Sequence, residues 1–208
     1  MTTPSRRPLA SRDSRWARAL ASRLAAGRIT PNQISAASVG LAALGFLAFW
    51  AATATSGAAQ TLLLLAAAAT IQLRLLCNLL DGMVAIEGGK SSPSGPFWNE
   101  APDRAADALF LAGAGLAAGS PALGLAAAAL AIATAYIREL GRAEGLAPDF
   151  SGPMAKPHRM AALTLGCIAA AAYAPAWCLT VTLWIIVAGT AATILRRSLR
   201  LLGNLQAR

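Results

Sequence analysis

Charge is what this sequence has least of. Of its 208 residues only 13% are charged, where a soluble domain carries about a quarter. No soluble domain of useful size is left over once the apolar blocks are set aside. Histidine is nearly missing, with His158 the only one, and the three cysteines, Cys77, Cys167 and Cys178, have no paired spacing. A disulfide framework and a zinc site are both excluded on that ground, and the cysteines read as small buried hydrophobes. The net charge of +9 could belong to a nucleic-acid binder, but its placement argues otherwise. Seven arginines (Arg6, Arg7, Arg12, Arg15, Arg18, Arg23, Arg28) precede the first apolar block, and Arg196, Arg197, Arg200 and Arg208 follow the last. Basic residues beside apolar blocks mark the cytoplasmic side of a membrane and are drawn to anionic headgroups. No secretory signal peptide is expected, because that Arg-rich start runs for some 30 residues before any apolar stretch.

What the chain has in plenty is apolar length. Hydrophobic residues make up 56% of it and fall in blocks of about 20, enough to cross a hydrocarbon core of about 30 Å. The blocks lie at 33–53, 58–80, 100–118, 122–141, 160–175 and 177–195, rich in Ala and Leu, and 18 glycines allow close helix approach in lipid. The linkers alternate. The first, third and fifth carry no charge, the second holds Glu87 and Lys90, and the fourth holds Arg138, Arg142, Lys156 and Arg159. Six spans with both termini cytoplasmic follow. The expected fold is an all-α membrane protein of the inner membrane, organised as a basic segment 1–30, a six-span domain 31–198 and a basic tail 199–208. Within the first segment Trp16, Leu20 and Leu24 share one helical face, which predicts an amphipathic helix on the membrane surface. Pro31 then suits the first turn of the next helix. Trp50, Trp98, Trp177, Trp184 and Tyr173 fall mainly near span ends, as an aromatic belt does.

Five of the nine acids (Asp81, Glu87, Glu100, Asp103, Asp107) lie between positions 81 and 107. Acids near membrane depth are costly and usually functional. Helical spacing puts Asn99, Asp103 and Asp107 on one face with Glu100 beside them, and puts Asn78 and Asp81 together on the preceding span. Two such faces meeting across a short linker form an oxygen-rich pocket suited to Mg²⁺, Mn²⁺ or Ca²⁺. The plainer alternative is that these acids pair with Arg74, Lys90 and Arg104 and only mark the interface. Gly82, Gly88, Gly89 and Gly95, interleaved with the acids, would let a phosphate-bearing ligand approach the backbone.

The stretch Asn78-Leu-Leu-Asp81-Gly82-Met-Val-Ala85-Ile86, followed by Gly95-x3-Asn99-x3-Asp103, resembles the CDP-alcohol phosphotransferase signature D-x2-D-G-x2-A-R-x8-G-x3-D-x3-D. The spacing agrees throughout, and Ile29-Thr30-Pro31-Asn32 resembles the T-P-N phrase before that family's first span. Asn78 and Asn99 stand where the signature has Asp, and Ile86 stands where it has Arg. The resemblance implies that a CDP-activated lipid or alcohol donates its phospho-moiety to a hydroxyl acceptor and CMP leaves. It implies Mg²⁺ or Mn²⁺ held by Asn78, Asp81, Asn99, Asp103 and Glu100, and a general base at Asp103, or at Asp107 if the site is displaced by one helical turn. A site for two divalent ions then draws its missing negative charge from Glu100 and Asp107. Gly82, Ala85 and Gly95 would wall the cytidine and its phosphates. Arg138, Arg142, Lys156 and Arg159 would bind the acceptor's phosphate or the donor's diphosphate, and otherwise serve as topology anchors; Gly152-Pro153-x2-Lys156 resembles the family's approach to the fifth span. A bacterial inner-membrane enzyme of phospholipid biosynthesis is implied, using CDP-diacylglycerol, and the family implies a homodimer. Two other classes compete: an inactive relative that binds lipid or scaffolds partners, and a small transporter. The transporter would need polar residues through mid-span, which spans one, four and six lack.

Overall fold

The computed structural model describes residues 14–27, 29–90, 92–173 and 175–208. The structure of Arg6, Arg7, Arg12 and Arg28 lies outside the described residues, as does the side chain of Glu87. Among the described residues there are seven helices and no strand: α1 (Arg15–Ala26), α2 (Pro31–Thr53), α3 (Gly57–Glu87), α4 (Gly95–Ala117), α5 (Pro121–Ala143), α6 (Lys156–Ala172) and α7 (Pro175–Gln206). By length and apolarity α2, α3, α5 and α7 are each able to cross a membrane. The other two expected spans fall short for separate reasons. The first half of α4 carries Glu100, Asp103, Arg104 and Asp107, and α6 has 17 residues with Lys156 and Arg159 in its first turn.

Local chemistry explains the helix starts. Thr30 caps α2 by accepting from the Gln33 amide at 3.2 Å while Gln33 accepts from the Thr30 amide at 2.9 Å, and Pro31 fills the first turn. Prolines likewise open α4, α5 and α6. Pro102, inside α4, has no N–H to give the Trp98 carbonyl. At the far end α7 continues through Gln206, so residues 199–206 of the basic tail prolong the last helix.

Packing relies on small residues. A β-carbon at Gly45 would strike Phe110, one at Gly113 would strike Phe49, and one at Gly115 would meet the backbone of Gly124. Helices α4 and α5 therefore approach backbone to backbone, and α2 and α4 seat each other's phenylalanines on glycine, the device expected where lipid gives no hydrophobic drive between helices. Phe49, Leu64, Ile71, Phe110, Leu163, Leu179 and Leu183 fill the core. Large apolar side chains also face outward: Leu44, Leu47 and Trp50 on α2, Leu62 and Leu65 on α3, and Trp184, Ile185 and Leu195 on α7. Helix α1 packs on α3 through Ala17 and Ala21, while Trp16 of the expected apolar stripe stays exposed and Leu20 and Leu24 are half-buried.

Candidate active site

The ends of all seven helices converge on one cavity of about 790 Å³, within the range of small-molecule sites. It takes the starts of α2, α4 and α6 and the final parts of α3, α5 and α7, so α2 to α7 alternate in direction. Of the site residues expected from the sequence, Asn78, Asp81, Gly82 and Ala85 line it from α3. Gly95, Asn99, Glu100 and Asp103 line it from α4, and Arg138, Arg142, Lys156 and Arg159 from the later helices. Asp107 is the candidate the structure does not bring to the cavity.

Depth along α4 explains that exception. Asn99 is exposed, Asp103 is 8% exposed and Asp107 is 1% exposed. The Asp107 carboxylate instead accepts from Arg159 at 2.5 Å, in a pair where both side chains are buried. Asp103 sits at the centre of a charge cluster. Its Oδ1 accepts from Arg74 and, at 3.0 Å, from Asn78; its Oδ2 pairs with Lys156 and, at 3.4 Å, with Arg104. Glu100 is bound by Arg104 at 2.9 Å and by Arg138, which also reaches Glu139 at 2.9 Å. Asp81 differs from all of these. It makes no ion pair among the described residues and accepts a hydrogen bond from Ser35 at 2.6 Å.

The basic side is held from behind. Arg197, only 6% exposed, donates at 2.9 Å to the carbonyls of both Ser151 and Thr134, which ties α7 to α5 and to the loop before α6. Gly152 in that loop has φ +123° and its α-carbon lies against Thr193, whose hydroxyl accepts from the Met154 amide at 3.0 Å. Only glycine suits that combination of backbone angle and contact, and it delivers Lys156 to the cavity. Asp149 caps the same loop by accepting from the Ser151 amide at 2.7 Å. Partial burial alone would raise the Asp149 carboxyl, but the Ser151 hydrogen bonds and the nearby Arg197 and Arg200 outweigh it and hold it below the ordinary range. At the opposite rim Lys90 donates to the carbonyls of Gly27 at 2.6 Å and Ile29 at 3.2 Å, and Asn32 reaches Ser92 and Ser94 at 3.4 and 3.3 Å.

Seven basic side chains (Lys90, Arg104, Arg138, Arg142, Lys156, Arg159, Arg197) line the cavity against four acidic ones (Asp81, Glu100, Asp103, Glu139). That excess favours an anionic ligand. The donor set left for a divalent ion is the Asp81 carboxylate with the amide oxygens of Asn78 and Asn99, hard donors that suit Mg²⁺ or Mn²⁺. Among the described residues no three His, Cys, Asp or Glu side chains gather as a metal-binding group. A divalent ion fits this donor chemistry.

Sequence reasoning assigned to the site neither Ser35, Lys90, Arg104, Glu139 and Arg197, which line the cavity, nor Arg74, which pairs with Asp103 from behind it. Arg74 entered only as an interface partner and Arg197 only as a topology signal. Arg74 had one usable signal: it stands one helical turn before Asn78, on the face that carries Asp81.

Neither a protein-family model nor a curated protein sequence matches the chain. Solved structures do. The Mycobacterium tuberculosis phosphatidylinositol phosphate synthase with CDP-DAG bound superposes with a TM-score of 0.75 at 20% identity, covering 90% of this chain and 94% of that one. The same synthase in complex with manganese and citrate gives 0.74 at 20% identity, over 89% and 88% of the two chains. Its apo form gives 0.69 at 20% identity, over 86% and 92%. At that identity the likeness is one of architecture: the chain has the fold of this synthase.

Proposed function

We propose that the protein transfers a phosphatidyl (phospho-alcohol) group from a CDP-activated lipid, CDP-diacylglycerol, to a hydroxyl acceptor with release of CMP, as a step of phospholipid biosynthesis. One observation carries the reading. Residues chosen for the signature they resemble surround a single cavity, in the fold of a synthase that has been solved with CDP-DAG.

The acceptor oxygen forms a bond to the lipid-bearing phosphorus of the donor while the anhydride bond to the CMP phosphate breaks and CMP leaves with the electron pair. The hydroxyl proton goes to a carboxylate. Asp103 faces the cavity and Asp107 does not, which favours Asp103 as that base. Arg138, Arg142, Lys156 and Arg159 supply cations for the diphosphate and the developing charge on CMP. Gly82, Ala85 and Gly95 form the small-residue wall along which the cytidine and its phosphates approach the backbone. A bound Mg²⁺ or Mn²⁺, held by Asp81 with Asn78 and Asn99, would polarise the phosphoryl oxygens and steady the leaving group. The neighbour in complex with manganese supports that choice. The outward apolar side chains and alternating helices support a six-span inner-membrane protein in a bacterium, with both termini cytoplasmic. A homodimer is what the resemblance adds.

The test is incubation of the purified protein in detergent with CDP-diacylglycerol and a set of candidate alcohols, following CMP and identifying the lipid product by mass. CMP release is expected to fall at least a thousandfold in Asp81→Ala and Asp103→Ala. Ordinary turnover in both variants would remove the proposal. A second reading, a lipid-binding relative without turnover, is favoured by the engagement of Asp103 and Glu100 with side-chain cations. Binding of CDP-diacylglycerol with no CMP would select it.

A further inference from the structure

We infer that Arg74 and Lys156 act as built-in cations around Asp103, so that this site holds one divalent ion where the signature it resembles provides for two. The inference rests on reading the cavity as a CDP-donor site and concerns how that site is neutralised.

The first argument is one of lone pairs. Three hydrogen bonds already reach the Asp103 carboxylate, from Arg74 and Asn78 on Oδ1 and from Arg104 on Oδ2, and the Lys156 ammonium pairs with Oδ2. Oδ2, whose one hydrogen bond is the long one from Arg104, keeps a position for the acceptor's proton, but a divalent ion there would stand against the charges of Lys156 and Arg104. Compensation from elsewhere fails as well. Glu100 is taken by Arg104 and Arg138, and Asp107, which does not line the cavity, is paired with Arg159.

The second argument is charge. The full signature sets four carboxylates against two divalent ions, which is neutral. This chain has two carboxylates at those positions, Asp81 and Asp103, and sets them against Arg74 and Lys156, while Arg104 is shared between Asp103 and Glu100 and Arg138 also meets Glu100, so no negative charge is left over. A divalent ion added at Asp81 leaves the site positive enough to hold a diphosphate. A second ion would add repulsion in a buried place with no carboxylate to meet it.

The third argument is placement. Arg74 is 1% exposed, and Asp103 is its one ion-pair partner among the described residues. It lies on α3 four residues before Asn78 and seven before Asp81, the same helical face. The guanidinium is thus fixed beside the positions from which carboxylates would otherwise reach a second ion. Asn78 completes the exchange: its amide donates to Asp103, as no aspartate could, in a setting where another negative charge would repel that carboxylate.

The experiment is Mn²⁺ titration of the purified protein in detergent, counting bound ions from the electron paramagnetic resonance signal of free Mn²⁺. One ion per chain is expected for the wild type, and none for Asp81→Ala. Arg74→Gln, which keeps a hydrogen-bond donor but removes the charge, is expected to take up a second ion or to tighten Mn²⁺ binding at least tenfold; Arg74→Lys is expected to keep the count at one. If Arg74→Gln does not fold by size-exclusion and circular dichroism, Lys156→Gln releases the other Asp103 oxygen and carries the same expectation. Two ions or none in the wild type overturn the inference, as does a folded charge-removing variant whose Mn²⁺ binding is unchanged. The two readings fail separately. CMP release with two bound ions would leave the transferase standing and remove this inference, and one bound ion without CMP release would do the reverse.

Discussion

The two walls of the cavity are built on different terms. On α4 the carboxylates Asp103 and Glu100 depend on side-chain cations reaching them from other positions, and Asp107 just behind depends on Arg159. On α6 and α7 two cations have partners in the backbone: Arg159 also donates to the Met154 carbonyl at 3.4 Å, and Arg197 to those of Ser151 and Thr134. Arg159, losing its acid, keeps an acceptor. An acid that loses its cation is left charged and buried. The comparison teaches that an acidic motif read along a membrane helix counts residues, whereas the field in the pocket depends on which of them are already paired.

The strongest way to break this comparison is at the buried pair. Arg159→Met should cost about 3–5 kcal/mol of stability because it strands the Asp107 carboxylate. Asp107→Asn should cost only about 1–3 kcal/mol, since Arg159 retains a carbonyl and the amide can still accept. Thermal unfolding in detergent reads the difference, and equal costs would show that the walls are not asymmetric. The double variant Asp107→Leu with Arg159→Met should recover most of the loss.

A smaller effect is expected at Gly152. Alanine there meets both an unfavourable backbone angle and the Thr193 side chain, for about 1–3 kcal/mol. By displacing Lys156 it should also raise the KM for the CDP donor more than it lowers kcat. An unchanged KM would separate the loop from the basic wall.

The smallest is the acid limb of stability at Asp149. Its carboxyl is held below the ordinary value of 3.8, so the stability it contributes is whole above about pH 4 and is lost as pH falls through the folded value. Because the group is largely solvated, the contribution is less than about 1 kcal/mol. Comparing the unfolding midpoint of the wild type and Asp149→Asn between pH 5 and pH 3 should show a gap that closes on the acid side.

Much of this was legible in the sequence, and the reason is periodicity. Apolar blocks and neutral turns located α2 to α7 to within a few residues, except where α3 carries Asp81 and continues to Glu87, α4 starts at Gly95, α6 starts at Lys156 and α7 runs on to Gln206. Fixed spacing likewise gathered the candidate residues that line the cavity. What escaped was pairing between distant positions. Ser35 meets Asp81 across 46 residues, Arg74 meets Asp103 across 29 and Arg159 meets Asp107 across 52. No local pattern reports such contacts, because they depend on which helix faces which. Of the suggested interface partners, Arg74 and Arg104 do pair with Asp103, while Lys90 binds backbone carbonyls.

The Asp107–Arg159 pair also has a consequence for how the chain is made. Asp107 is synthesised 52 residues before its partner, which at about 5–20 residues per second is a wait of roughly 3–10 s. During that interval α4 carries an unmatched acid and has no reason to settle in lipid by itself. Helix α6, short and opening on Lys156 and Arg159, is no better suited to enter alone. These are the two helices that fall short as independent spans, so the charges of the site cannot be matched before α6 has been made.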